Sequence, residues 1–182
     1  METNISLDRI VQRAKDVMTF NTRTYEEITR DPSATPEAGI VVATVAIASG
    51  LGWLLQGPGA LIGGVVAMLL GWVLSAAIIY FVGTRITSTP HTSSSVERVM
   101  RIVGYAAVPN VFQFVTGIWL IGDIIGSVLW LWTLATMIVA IKVALNMDTG
   151  RAVATGLVAW IGSIITFAIF GAIFNISLNV PF

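Results

Sequence analysis

Cysteine is absent from this 182-residue chain, histidine occurs once, and charge nearly vanishes after Glu37. Without cysteine there is no disulfide framework and no thiolate nucleophile or metal ligand. A single histidine, His91, makes neither a metal site nor a catalytic dyad. The first 37 positions hold twelve of the Asp, Glu, Lys and Arg residues, and the remaining 145 hold eight. Charged residues make up 11% of the chain, less than half the roughly 25% usual for soluble domains. No basic patch supports nucleic-acid binding. No spacing matches a nucleotide loop, a zinc ligand pair or an intramembrane protease dyad. No catalytic residue, cofactor or metal is therefore expected, and an enzyme is the least supported class.

What the chain has instead is apolar length. Five apolar runs follow one another, roughly Ala38–Leu55, Ala60–Val82, Ile102–Ile121, Ile124–Leu145 and Ala152–Phe174. A helix needs about 20 apolar residues to cross a bilayer core. The expected fold is an all-α membrane protein: a bundle of five transmembrane helices (36–182) behind a charged head (1–35). No cleaved leader is expected, because the first apolar run is too long and starts too late.

The connections between runs alternate in character. Gln56-Gly57-Pro58-Gly59, Gly122-Asp123 and the tail after Phe174 carry no basic residue. The head carries Arg9, Arg13, Lys15, Arg23 and Arg30. The second connection carries Arg85, Arg98 and Arg101, and the fourth is flanked by Lys142 and Arg151. By the positive-inside rule this places the N-terminus in the cytoplasm and the C-terminus outside the cell membrane. Local signals mark helix starts. Thr35-Pro36-Glu37 reads as a cap, a first-position proline and a first-turn acid. Ser94-Ser95-Val96-Glu97 reads as a capping box. Asp123 is a cap for the fourth span, and Asp148 or Thr149 for the fifth.

The head predicts two helices. Leu7, Ile10, Val11, Ala14, Val17 and Met18 recur at helical spacing, so Ile5 to Phe20 is an amphipathic helix. It reads as an anchor packed on lipid or on the bundle more readily than as a partner-binding or membrane-sensing element. Asn21 to Arg30 reads as a short helix making contact through Tyr25 and Ile28.

Within the runs, a few residues stand out. Pro109 cannot donate to the carbonyl of Tyr105, so the third span should kink there. Asn110 and Gln113 lie one turn apart near mid-membrane and form a polar stripe with Ala106 and Gly117. Amides in hydrocarbon need partners. The stripe is either interhelical hydrogen bonding, with Thr133 and Thr136 as partners, or a ligand or ion site; bonding is the favoured reading. In the second span Gly59, Gly63, Ala67, Gly71 and Ser75 recur every fourth position as a small-residue ridge for close helix contact. The ridge is expected to pack inside the protomer rather than form a homodimer, and Gly71→Leu to cost more than Gly83→Leu. Lys142 lies one turn from a span end and reads as a snorkelling lysine. The six tryptophans read mostly as interfacial aromatics.

The third span opens Arg101-Ile102-Val103-Gly104-Tyr105, followed by Pro109. This resembles the Gly-Tyr-x-x-x-Pro signature of the Ypt-interacting-protein (Yip) domain family. Thr24-Tyr25-Glu26-Glu27-Ile28 with Asp31-Pro32 is similar to the pre-span segment of its prokaryotic members. The Asp-Leu-Tyr-Gly-Pro motif of eukaryotic trafficking members is replaced here by Asp31-Pro-Ser-Ala-Thr-Pro36. The resemblance implies a prokaryotic-type member with five spans, a cytoplasmic N-terminus and no enzymatic activity. Such a protein would act through contacts with another membrane protein or a second copy, or through the lipid bilayer. The alternative is a small transporter or channel using Asn110 and Gln113.

Overall fold

Two short helices precede the apolar ones. The structure, a computed structural model, describes residues 6–50, 58–90, 92–117 and 122–173. Side chains at 58–61, 116–117 and 166–173 are not part of the description. The turn before Gly59, His91, the far end of the third run at Ile121 and the tail from Phe174 lie outside the described residues. Among the described residues every regular element is helical: α1 (Leu7–Met18), α2 (Thr22–Arg30), α3 (Ala34–Gly50), α4 (Pro58–Phe81), α5 (Val96–Ala106), α6 (Gly122–Leu145) and α7 (Thr149–Ile173). A π turn, Val82–Ile86, prolongs α4, and a 3₁₀ segment, Val108–Gly117, prolongs α5.

Helix ends follow the local chemistry. Ser95 caps α5 by accepting from the Arg98 amide at 3.3 Å, and Asp148 caps α7 by accepting from the Arg151 amide at 3.0 Å. Helices α1 and α6 both end in a left-handed residue, Phe20 at φ 60° and Asn146 at φ 51°. The next amide turns back to the helix in each case, Asn21 to the Asp16 carbonyl and Met147 to that of Lys142, which is the Schellman closure. One expected start moves: α3 begins at Ala34 rather than after Thr35. Asp31 supplies the turn instead, accepting from the Ser33 amide and hydroxyl at 2.9 and 2.7 Å. Asp123 stands in the first turn of α6, which begins at Gly122.

Helix α1 turns Ile10, Arg13 and Val17 inward and leaves Leu7 and Val11 exposed. It packs on α2, α5 and the 3₁₀ segment. Tyr25 and Ile28 of α2 are fully buried. The Tyr25 hydroxyl donates to the Val17 carbonyl at 2.9 Å, and the Trp132 indole donates to that of Met18 at 3.0 Å. Two carbonyls in the last turn of α1 thus accept from α2 and α6, that of Val17 in addition to the Phe20 amide at 3.1 Å. Burial pushes the Tyr25 phenol above its ordinary pKa.

Two helical stretches are long and apolar enough to cross a membrane, Ile62–Ile86 and Gly122–Leu145. Of the other three expected spans, the first and third are not single long helices over their described lengths. Helix α3 has 17 residues and meets α2 at a bend of 117°. In the third run, α5 stops at Ala106 and the 3₁₀ segment takes over around Pro109. Helix α7 is one continuous helix of 25 residues, Thr149–Ile173, and its stretch Thr149–Ile165 is apolar. The core gathers where α3, α5 and α6 meet, with Ala38, Val45, Ile102, Ala106, Ala140 and Ile141 buried.

Candidate functional site

The strongest chemistry in the molecule lies where the head meets the bundle. Glu37, in the first turn of α3, is fully buried. Its Oε2 accepts from the Arg13 Nη1 at 2.7 Å and from the Tyr105 hydroxyl at 2.8 Å. Its Oε1 accepts from Arg9, with Nε at 2.8 Å. Arg13 Nη2 continues to Glu27 Oε1 at 2.6 Å and Asp31 Oδ2 at 2.7 Å. Four elements, α1, α2, α3 and α5, therefore converge on one charge cluster.

The electrostatics are those of a closed set. Burial opposes the charge on Arg13, yet its hydrogen bonds to three carboxylates outweigh that and push its pKa above the ordinary arginine value. Burial would likewise raise Asp31, but hydrogen bonds from Ser33 and Arg13 hold it below the ordinary carboxylate value. One atom is left over: the buried Nε of Arg13 has no hydrogen-bond partner. Beside the cluster, Arg101 of α5 donates to the Thr35 hydroxyl at 2.9 Å and the Thr29 carbonyl at 3.0 Å. It thereby pins the corner between α2 and α3. Removing one member of such a buried set leaves an uncompensated charge, at a cost of roughly 3–5 kcal/mol.

Glycine makes this approach attainable. A Cβ on Gly104 would stand 2.9 Å from the Ala38 Cβ and 3.1 Å from the Trp72 Nε1. Tyr105, the next residue, is fully buried against Glu37. Trp72 fixes α4 to the same place by donating to the Met100 carbonyl at 2.9 Å. Trp72 and Trp132 thus hold backbone carbonyls inside the protein, whereas Trp130 and Trp160 are exposed.

Pro109 is buried and sits second in the 3₁₀ segment. In 3₁₀ geometry the amide that proline lacks would have bonded the carbonyl of Ala106, not that of Tyr105. The Thr136 hydroxyl of α6 fills that place, donating to the Ala106 carbonyl at 2.8 Å. The Thr133 hydroxyl lies 3.1 Å from Asn110 Oδ1. The Ser49 hydroxyl of α3 lies 3.4 Å from both the Asn110 carbonyl and Gln113 Oε1, and its single proton serves one of them at a time. Asn110 therefore faces α6 and α3. Gln113 also lines an open cavity of about 790 Å³ with Asp123, Ser127 and Trp130.

On the ridge, a Cβ on Gly63 would meet nothing within 4 Å. Ala67, Gly71 and Ser75 line an apolar cleft of about 320 Å³ beside Trp72, and for Gly59 only the backbone is described. The close approach falls at Gly83, where an added Cβ would collide with Leu145. Gly83, the reference glycine in the expected comparison with Gly71, is thus itself a close-contact position. Spacing shows where residues are small, not what stands opposite them.

Sequence reasoning did not find Glu37 as a centre; it read only as a first-turn acid. A signal was present. Arg9 and Arg13 are four apart, on one face of α1 beside its apolar stripe, and two like charges at that spacing call for an acid between them.

Helical order, the Gly104-Tyr105…Pro109 motif and the docked head point the same way. The sequence profile of the Yip1 domain matches residues 15–171. No curated protein and no solved structure matches the chain. With the profile covering most of the chain, from within α1 to within α7, the chain belongs to the Yip1 domain family.

Proposed function

We propose that this is a non-enzymatic, multi-pass protein of the cell membrane, with its charged end in the cytoplasm. It organises its membrane through contacts with another membrane protein or a second copy, and through the bilayer around it. The observation that carries this reading is the closed cluster around Glu37. Its carboxylates and guanidinium groups face one another. The cluster fixes the head as a rigid platform whose outer face, with Arg23, Glu26 and Glu27, is exposed. A rigid, charged, pre-ordered surface suits recognition, because little ordering entropy is lost on contact.

The test is a photocrosslinking residue at Arg23 in native membranes. A discrete protein adduct is expected, and Arg13→Ala, which loosens the platform, should abolish it. Adducts that survive Arg13→Ala unchanged would count against the platform.

One observation favours a second reading, a small transporter: the open cavity that reaches Gln113. Flux of small ions and metabolites into proteoliposomes separates the two. A flux that Gln113→Leu abolishes would put transport first.

A further inference from the structure

A second polar cavity lies at the charged end of the bundle, apart from the Glu37 cluster. It measures about 370 Å³ and is lined by Arg30 of α2, Arg98 of α5 and Lys142 of α6. Its one acidic wall residue is Glu26, and that carboxylate pairs with Arg30 at 3.3 Å. Arg98 and Lys142 have no carboxylate partner among the described residues. Arg98 donates to the Ser93 carbonyl at 3.3 Å and Lys142 to the Thr149 hydroxyl at 3.1 Å. Three cations from three helices thus face one space with a single acid among them.

We propose that this cavity binds a phosphate monoester, presented by the headgroup of a membrane lipid. Charge selects the ligand class: three cations and one acid leave two positive charges, and a monoester carries about −1.5 to −2 at neutral pH. Arg98 brings a planar fork suited to phosphate oxygens, and Lys142 a compact point charge. The volume falls within the ~300–1,000 Å³ of small-molecule sites. Position selects the source. Lys142 stands one turn before the end of α6, a helix long and apolar enough to cross a bilayer. Val143 and Met147 beside it add apolar wall. That is headgroup depth, where basic pockets between helices meet lipid phosphates. The inference stands on these residues and does not depend on which protein partner the platform contacts.

The experiment uses the full chain in neutral detergent, with binding read by native mass spectrometry. The probes are dioctanoyl phosphatidic acid, dioctanoyl phosphatidylcholine and inorganic phosphate. Phosphatidic acid should bind, and at least tenfold more tightly than either of the others. Lys142→Gln should weaken that binding at least fivefold and Arg98→Gln with Lys142→Gln at least twentyfold. Lys142 is exposed, with a neutral hydroxyl as its partner, so its single variant folds. Arg85→Gln, exposed and outside the cavity wall, should bind as the parent does. Equal affinity for phosphatidylcholine, or unchanged binding in Lys142→Gln, would overturn the site. Inorganic phosphate binding as tightly as the lipid would overturn the headgroup as its source.

Discussion

The hydroxyl of Tyr105 and the carboxylate of Glu37, 68 positions apart, meet at 2.8 Å in a place closed to solvent. The tyrosine of the Gly-Tyr-x-x-x-Pro motif is therefore a hydrogen-bond donor to a buried charge. Tyr105→Phe should lower stability by about 1.5–3 kcal/mol, the range for hydrogen bonds to charged groups. Glu37→Ala should cost more, about 3–5 kcal/mol, because Arg9 and Arg13 lose their buried partner. Thermal unfolding of both variants in one detergent ranks them. A Tyr105→Phe loss equal to that of Glu37→Ala would assign the effect to packing rather than charge.

Acid should release the head. Asp31 is held below the ordinary aspartate pKa in the folded protein. A depressed carboxylate contributes stability that is complete above its unfolded value, about 3.9, and is lost as pH falls through the folded value. Because the chain has no native cysteine, a bimane label at Gln12→Cys reports the head alone. Its emission should hold from pH 8 to about 4 and change below that. Asp31→Asn should flatten this transition; an identical profile in that variant would remove Asp31 from the explanation.

Glycine tolerance should follow the neighbour rather than the repeat. Gly83→Leu forces a side chain against the buried Leu145 and should cost about 1–3 kcal/mol. Gly63→Leu enters open space and should fall within about 0.5 kcal/mol of the parent. Equal losses in thermal unfolding would mean that Gly63 is covered in the membrane.

Thr136 and Pro109 should be coupled. Thr136→Val removes the donor to the Ala106 carbonyl, at about 0.6–2 kcal/mol. Pro109→Ala gives the chain back an amide that can reach that carbonyl. In a double-mutant cycle Pro109→Ala should therefore cost less in the Thr136→Val background than alone. Strict additivity would show that the threonine does not replace the missing amide.

Cysteines at Ser93 and Asp123 should react with an impermeant thiol label from opposite sides of the membrane. Ser93 lines the basic cavity that includes Lys142 near the end of α6, and Asp123 sits in the first turn of that helix. Reaction of both from one side would mean that α6 does not cross.

Much of this architecture is legible in the residues. Ser95 and Asp148 announce their helices by cap chemistry, which is local. Tyr25 and Ile28 reveal the buried face of α2 by spacing. Asn110 implies a polar neighbour, and Thr133 meets it because hydrocarbon leaves an amide few alternatives. What escapes is tertiary. Nothing near Glu37 in sequence shows that Arg9, Arg13 and Tyr105 converge on it. The repeat from Gly59 to Ser75 records side-chain size, whereas the tight contact at Gly83 depends on Leu145, from another helix. The third run reads as one span by hydropathy, and only Pro109 hints that its helix changes type partway.

That change of type has a consequence for how the chain is made. The Ala106 carbonyl is satisfied by a hydroxyl thirty positions further along. While only α5 and its 3₁₀ continuation have been synthesised, that acceptor lacks this partner. It gains the Thr136 hydroxyl only when α6 has been made and packs alongside. The end of α5 thereby completes its hydrogen bonding only against a helix made later, which ties the folding of the two segments together.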